Sequence, residues 1–170
     1  MAMIKINAKN ITAEYYGVQF DYAPTEKIAV NAGYTALTGI EAASWETLGG
    51  YNDNSASIWT VGGSYAFDSN VKLVGQYAEN TDADAYEKAG IVEVQYKGTD
   101  VADAGYRHLG GNVAIAPTYN DAAANQKGYV VGASYVPAEN ILATIEYFDG
   151  KDMDTDTDAS KFFANVDFFF

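Results

Sequence analysis

The chain has 170 residues, which suits a single domain with a full interior. It contains 10 Lys and Arg against 23 Asp and Glu, and the resulting net charge of -13 would repel a phosphate backbone, so no nucleic acid is expected as a partner. Cysteine is absent, which excludes disulfides and thiolate metal sites, and no apolar run reaches the roughly 20 residues that a membrane helix needs.

Nine segments alternate apolar and polar residues with a period of two, which predicts β-strands. In chain order these are residues 15–23, 27–36, 58–67, 71–79, 90–98, 104–110, 128–136, 140–148 and 161–170. The opening MIKINAKN keeps the same alternation through Ile4, Ile6 and Ala8, so it is either a tenth strand or an extension of the first. No segment has the periodicity of a helix.

The connections between the predicted strands alternate between short and long. APTEK, DSN and PAEN are tight polar turns, and GTDVADA is a slightly longer connection. The long connections are residues 38–55, 80–88, 112–127 and 150–160. This alternation predicts an up-and-down sheet with turns at one end and loops at the other. Trp45 and Leu48 in the first long connection leave open whether that segment is an outward loop or an inward constriction.

The aromatic residues, 14 Tyr, 8 Phe and 2 Trp, are concentrated near the two ends of the strands on their apolar side. The predicted aromatic girdles are Tyr22, Tyr34, Tyr65, Phe67, Tyr77, Tyr96, Tyr106, Tyr135, Tyr147, Phe168 and Phe170. The polar side supplies the predicted lumen-lining residues, which are Gln19, Asp21, Asn31, Lys72, Gln76, Glu93, Gln95, Lys97, Arg107, Thr144, Glu146, Asn165 and Asp167.

A soluble β-sandwich also alternates, but its aromatic residues would not form two belts that follow strand direction. The belts favour an all-β, transmembrane, antiparallel up-and-down β-barrel of about 10 strands (8 to 10), formed as one domain by residues 1–170.

The last strand resembles the assembly signal of bacterial outer-membrane β-barrels, in which the assembly machinery reads a terminal Phe and an aromatic residue two positions before it. Phe168 and Phe170 match this signal, whereas Asn165 stands where a small residue or glycine is usual. The segments GYRHLGGNVAIAPTY, KGYVVGASY, NILATIEYFDGKD and DASKFFANVDFFF resemble the final hairpins of the porins of diderm Firmicutes that carry S-layer-homology domains. ITAEYYGVQFDYAP resembles an earlier hairpin of that family. Because the family's barrel is wider and carries a further domain, the chain is expected to be a C-terminal piece or a shortened relative.

The resemblance implies a bacterial outer-membrane location and passive diffusion of small hydrophilic solutes or ions. The implied partners are the lipid bilayer and lipopolysaccharide, the outer-membrane assembly machinery and small solutes, with further copies of the chain as a candidate partner. A barrel of eight to ten strands is scarcely wider than its own side chains. A closed barrel that acts as a membrane anchor or scaffold, or an excised porin fragment without conductance, is therefore the alternative. Binding through the acidic loops, as in an adhesin, is a third hypothesis.

Catalytic chemistry is not predicted, and no cofactor is expected. The only histidine, His108, lies beside Arg107 and is interpreted as a surface or girdle residue, with a barrel protease or lipase as the alternative. Asp152, Asp154, Asp156 and Asp158 alternate as in a calcium loop, but Thr157 and Phe163 replace the glycine and the final glutamate of that template. A solvated acidic loop is expected there, with loose divalent binding as the alternative. Together with NTDADAYEK, it predicts a negative, cation-preferring mouth.

Overall fold

A computed structural model describes residues 2–8, 11–38, 55–98, 100–113 and 125–169, which form one antiparallel sheet of ten strands. The strands are β1 Ala2–Ala8, β2 Ile11–Thr25, β3 Ile28–Thr38, β4 Ala56–Ala66, β5 Val71–Asn80, β6 Lys88–Lys97, β7 Val101–Leu109, β8 Gln126–Ala138, β9 Ile141–Asp152 and β10 Asp158–Phe168. Each strand pairs with the next in sequence, which confirms the all-β, up-and-down prediction. MIKINAKN supplies a strand of its own. Trp45, Leu48 and Phe170 lie outside the described residues.

Several predicted connections are longer than those observed, and two of them differ the most. GTDVADA was expected to be a connection throughout, but Val101 already pairs with Lys97, so only residues 98–100 separate β6 from β7. At the other end of the sheet β9 continues to Asp152 and β10 begins at Asp158, which leaves residues 153–157 as the loop. Both corrections have the same physical reason, because ladder hydrogen bonds to a neighbouring strand extend pairing into polar sequence.

In the described part of the ladder, proline marks the two irregular places. Ala23 and Pro24 on β2 together oppose one residue of β3, and Val136 and Pro137 on β8 do the same against β9. Proline cannot donate a ladder hydrogen bond, and a bulge provides a position at which none is needed. The repeated Tyr-x-Pro sequence before these turns is thus a bulge signal.

The register separates two faces of the sheet, since residues paired directly across strands point to the same side. One side, the apolar face, carries exposed Val18 on β2, Val61 on β4, Val92 on β6 and Val131 on β8. The opposite side, the polar face, carries the alternate residues of every strand. The end of the sheet with the connections 26–27, 67–70, 98–100 and 139–140 is the turn end, and the opposite end is the loop end.

The sheet curls with its polar face inside. Gln19 on β2 and Leu109 on β7 line one cavity although four strands lie between them. The backbones of β8 and β9 come close where Gly128 and Gly150 are directly paired. A Cβ atom at Gly150 would lie 2.9 Å from the Gly128 Cα, so this close approach of two backbones requires glycine.

The described ladder starts at β1 and ends at β10, and no pairing between these two strands is present among the described residues. The sheet is therefore curled but not closed. No helix in the described ranges is long and apolar enough to cross a bilayer.

Candidate functional site

The polar face is the candidate site, because it is the concave side of the sheet and carries most of the hydrogen-bonding side chains. All the predicted lumen-lining residues lie on this face by register. They are not equally accessible. Gln19, Gln76 and Asn165 are exposed, whereas Arg107 is buried.

The predicted girdle residues that fall within the described strands lie on the apolar face. Most are exposed, including Tyr22, Tyr135 and Phe168. Phe67 follows the end of β4 and packs edge-on against Tyr65 at a ring-centroid distance of 5.0 Å. Neighbouring strands also pair their rings, as in Tyr106 and Tyr129, 5.2 Å apart. The contact of these rings with lipid stays a prediction.

An ion pair and a hydrogen bond link three side chains in the middle of the polar face. The Glu93 carboxylate accepts a hydrogen bond from Gln95 Nε2 at 2.6 Å and lies 3.5 Å from Arg107 Nη2. The Arg107 and Glu93 side chains are only 6% and 12% exposed. A buried charge is tolerated when it is paired and hydrogen-bonded, so these side chains fill space instead of lining open water.

Apolar residues fill the loop end of the polar face, although strand alternation predicts polar residues there. Leu109, Val130 and Phe148 form one buried cluster, with Phe148 at 0% exposure, and Ala56 and Ile58 form another. The sequence signals these clusters, since each residue is apolar at a position where strand alternation predicts a polar one. Burial between curled strands accounts for the exception.

Buried asparagines hold the loops together above these clusters. Asn80 donates from Nδ2 to the Asn112 carbonyl at 2.9 Å, and its Oδ1 accepts from the backbone N of Ser57 and of Asp82. Asn112 in turn donates from Nδ2 to the Ala85 carbonyl at 2.7 Å. These bonds satisfy buried polar groups and join the start of β4 to the connections that follow β5 and β7, at the loop end.

Three carboxylates at the acidic loop between β9 and β10 contact other groups of the protein. Asp152 Oδ1 accepts from the backbone N of Asp154 and Thr155, Asp154 accepts from the Tyr86 hydroxyl at 2.7 Å, and Asp156 lies 3.5 Å from Lys151 Nζ. In the described part of the chain, no three His, Cys, Asp or Glu side chains come together as a metal cluster. The exposed Asp158 begins β10 beside this loop.

His108 lies on the apolar face near the loop end, opposite Lys127 on β8. The residue beside it in sequence, Arg107, points to the polar face, so the two side chains do not share a site. His108 is half-buried. This position fits the interpretation as a girdle residue better than that of a base facing a solute.

The sequence was also compared with known proteins. No family model matches the chain, and no curated protein matches it.

Proposed function

We propose that the chain is a transmembrane β-barrel of the bacterial outer membrane and acts as a porin-like passive diffusion channel for small hydrophilic solutes or ions. The observation that carries this proposal is the apolar face. Large hydrophobic side chains are exposed on it from β2 to β10, including Phe20, Tyr129 at 69% and Phe162 at 66%. Soluble monomers rarely expose a contiguous apolar patch of this extent, whereas a barrel turns such a face toward lipid.

Closure of the sheet is part of the proposal. A strand edge in hydrocarbon leaves its backbone N–H and C=O groups without partners, at a cost of several kcal/mol for each group. In a membrane, β1 and β10 must therefore pair with each other or, if the chain is part of a larger porin, with further strands.

Cation preference follows from the charges at the loop end. Asp82, Asp84, Asp154 and Asp158 are exposed there, and the ion pair of Asp156 with Lys151 neutralises only part of the negative charge. An acidic rim raises the local concentration of cations and repels anions.

A second function, a closed barrel that serves as a membrane anchor, is favoured by a specific observation. Inside the curl, the buried cluster of Leu109, Val130 and Phe148 lies near the loop end and the Arg107–Glu93 pair lies farther toward the middle. Packing of this kind narrows a lumen and can block it.

Planar-bilayer recording separates the two functions. A channel gives discrete conductance steps with cation preference, and Asp154→Asn combined with Asp158→Asn reduces that preference. A silent bilayer from folded, heat-modifiable protein would refute the channel and leave the anchor. Folding to a monodisperse species in buffer without detergent would refute both.

A further inference from the structure

A cavity of about 320 Å³ opens on the polar face between β2 and β7, and we name it the amide cavity. One wall carries Gln19, Asn31, Thr60 and Gln76, and the other is apolar, with Ile91 and Leu109. No charged residue of the described chain lines it. The volume is at the lower end of the range for small-molecule sites.

Two glycines, Gly33 and Gly62, lie directly beside residues of the polar wall of the amide cavity. Asn31, Gly62 and Gln76 are paired directly across β3, β4 and β5. A Cβ atom at Gly62 would lie 2.8 Å from Asn31 Oδ1 and 2.8 Å from Gln76 Cγ, so the two side chains lean over this glycine from opposite sides. At Gly33 in the neighbouring row, a Cβ atom would lie 2.7 Å from Thr60 Oγ1. The missing side chains leave space into which the surrounding polar groups project.

Most of the hydrogen-bonding capacity of this wall is not used within the described protein. Gln19 donates from Nε2 to the Asp21 carboxylate at 2.9 Å. Asn31, Thr60 and Gln76 make no side-chain hydrogen bond to another described residue. Amide and hydroxyl groups both donate and accept, so the wall can bond to a ligand that does the same.

The chemistry of the two walls selects a class of ligand. Because the lining carries no formal charge, it offers an ion no opposite charge to replace lost hydration. A molecule with several hydroxyl groups and an apolar C–H surface matches both walls at once, since its hydroxyls meet the amides and its C–H groups meet Ile91 and Leu109. Sugars and polyols have this construction.

We propose that the amide cavity is a binding subsite for a neutral polyhydroxylated solute about the size of a single sugar ring. This proposal rests on the channel hypothesis, in which the polar face is the water-exposed inner side of a barrel. It assigns the solute class to neutral molecules, in addition to the cations that the acidic mouth attracts.

The test is a titration of the detergent-folded full chain with D-glucose, followed by the amide ¹H–¹⁵N signals of Gly33 and Gly62. Saturable shifts of these signals are expected with glucose, and none with sodium glutamate or KCl at equal concentration. Asn31→Ala combined with Gln76→Ala should weaken binding by about tenfold or more, because two hydrogen-bonding groups are lost. Asn165→Ala removes an amide from the same face on β10 and should leave the affinity unchanged.

Gly62→Val provides a second variant, in which the added side chain displaces Asn31 and Gln76 and abolishes the glucose-dependent shift of the Gly33 signal. The subsite is refuted if glucose gives no saturable shift, if the charged solutes shift the same signals equally, or if the double variant binds as the parent does. The channel proposal can fail independently of the subsite. Glucose binding by a protein that is silent in bilayers removes the channel and keeps the subsite, whereas conductance without glucose binding removes the subsite alone.

Discussion

Replacing Val92 with arginine would place a charge at the centre of the apolar face. Val92 lies in the middle of β6, paired with Gly75 on β5 and Tyr106 on β7, and its side chain is 56% exposed. It is four residues from Tyr96 toward the turn end and four from Lys88 toward the loop end. In the proposed membrane orientation, at about 3.4 Å per residue and a strand tilt of about 40°, each edge of the apolar band is about 10 Å from Val92 along the membrane normal.

The environment of the apolar face decides the size of the effect. At the midplane of a bilayer, arginine on the lipid face of a barrel costs about 2–4 kcal/mol. At an exposed position in water, the same substitution changes stability by no more than about 0.5 kcal/mol. We therefore expect Val92→Arg to lower the free energy of unfolding by about 2–4 kcal/mol in lipid vesicles.

Urea unfolding in vesicles, monitored by tryptophan fluorescence, measures this difference. Asn165→Arg is the matched control, because Asn165 is exposed on the polar face and makes its side-chain hydrogen bond to Asp167 at 2.8 Å. A loss no larger than about 0.5 kcal/mol is expected for the control. Equal and small losses for the two variants would refute a lipid environment at the apolar face.

Two further predictions concern the loop end and the turn end. Phe148→Ala should destabilise the protein by about 3–5 kcal/mol, since it empties a fully buried site. Phe148→Leu should recover most of this loss. A cost of Phe148→Ala below about 1 kcal/mol in urea unfolding would contradict the buried cluster. Hydrogen bonds from the backbone N of Asn70 and of Val71 lower the pKa of Asp68. A lowered pKa means that the carboxylate's stabilisation of this turn is complete above the ordinary value of about 3.9 and is lost as the pH falls through the lowered pKa. The amide ¹H shifts of Asn70 and Val71 should titrate below that ordinary value in the parent and not in Asp68→Asn, and a midpoint at or above it would contradict the hydrogen bonding.

Strand alternation was sufficient to predict most of the fold. A period of two places every second residue on one side of a strand, so Tyr22, Tyr34 and Tyr65 could be assigned to a common face before their strands were aligned. Short polar segments between the strands indicated antiparallel neighbours for the same reason, because a tight turn cannot join parallel strands.

The strand ends were harder to predict, and the physical reason is local. Val101 and Asp103 lie in a segment rich in turn-forming residues, yet both pair with β6. Propensity is a weak guide in such places, because the ladder contributes hydrogen bonds that the segment by itself does not have.

For the candidate site, the sequence alone determined which residues point to the polar face, since that depends only on alternation along each strand. It did not determine which of them contact one another. Register and curvature decided that Glu93 reaches Arg107, that Phe148 is buried, and that Asn31 and Gln76 both lean over Gly62. These depend on strands that are distant in sequence, and only the folded sheet brings them together.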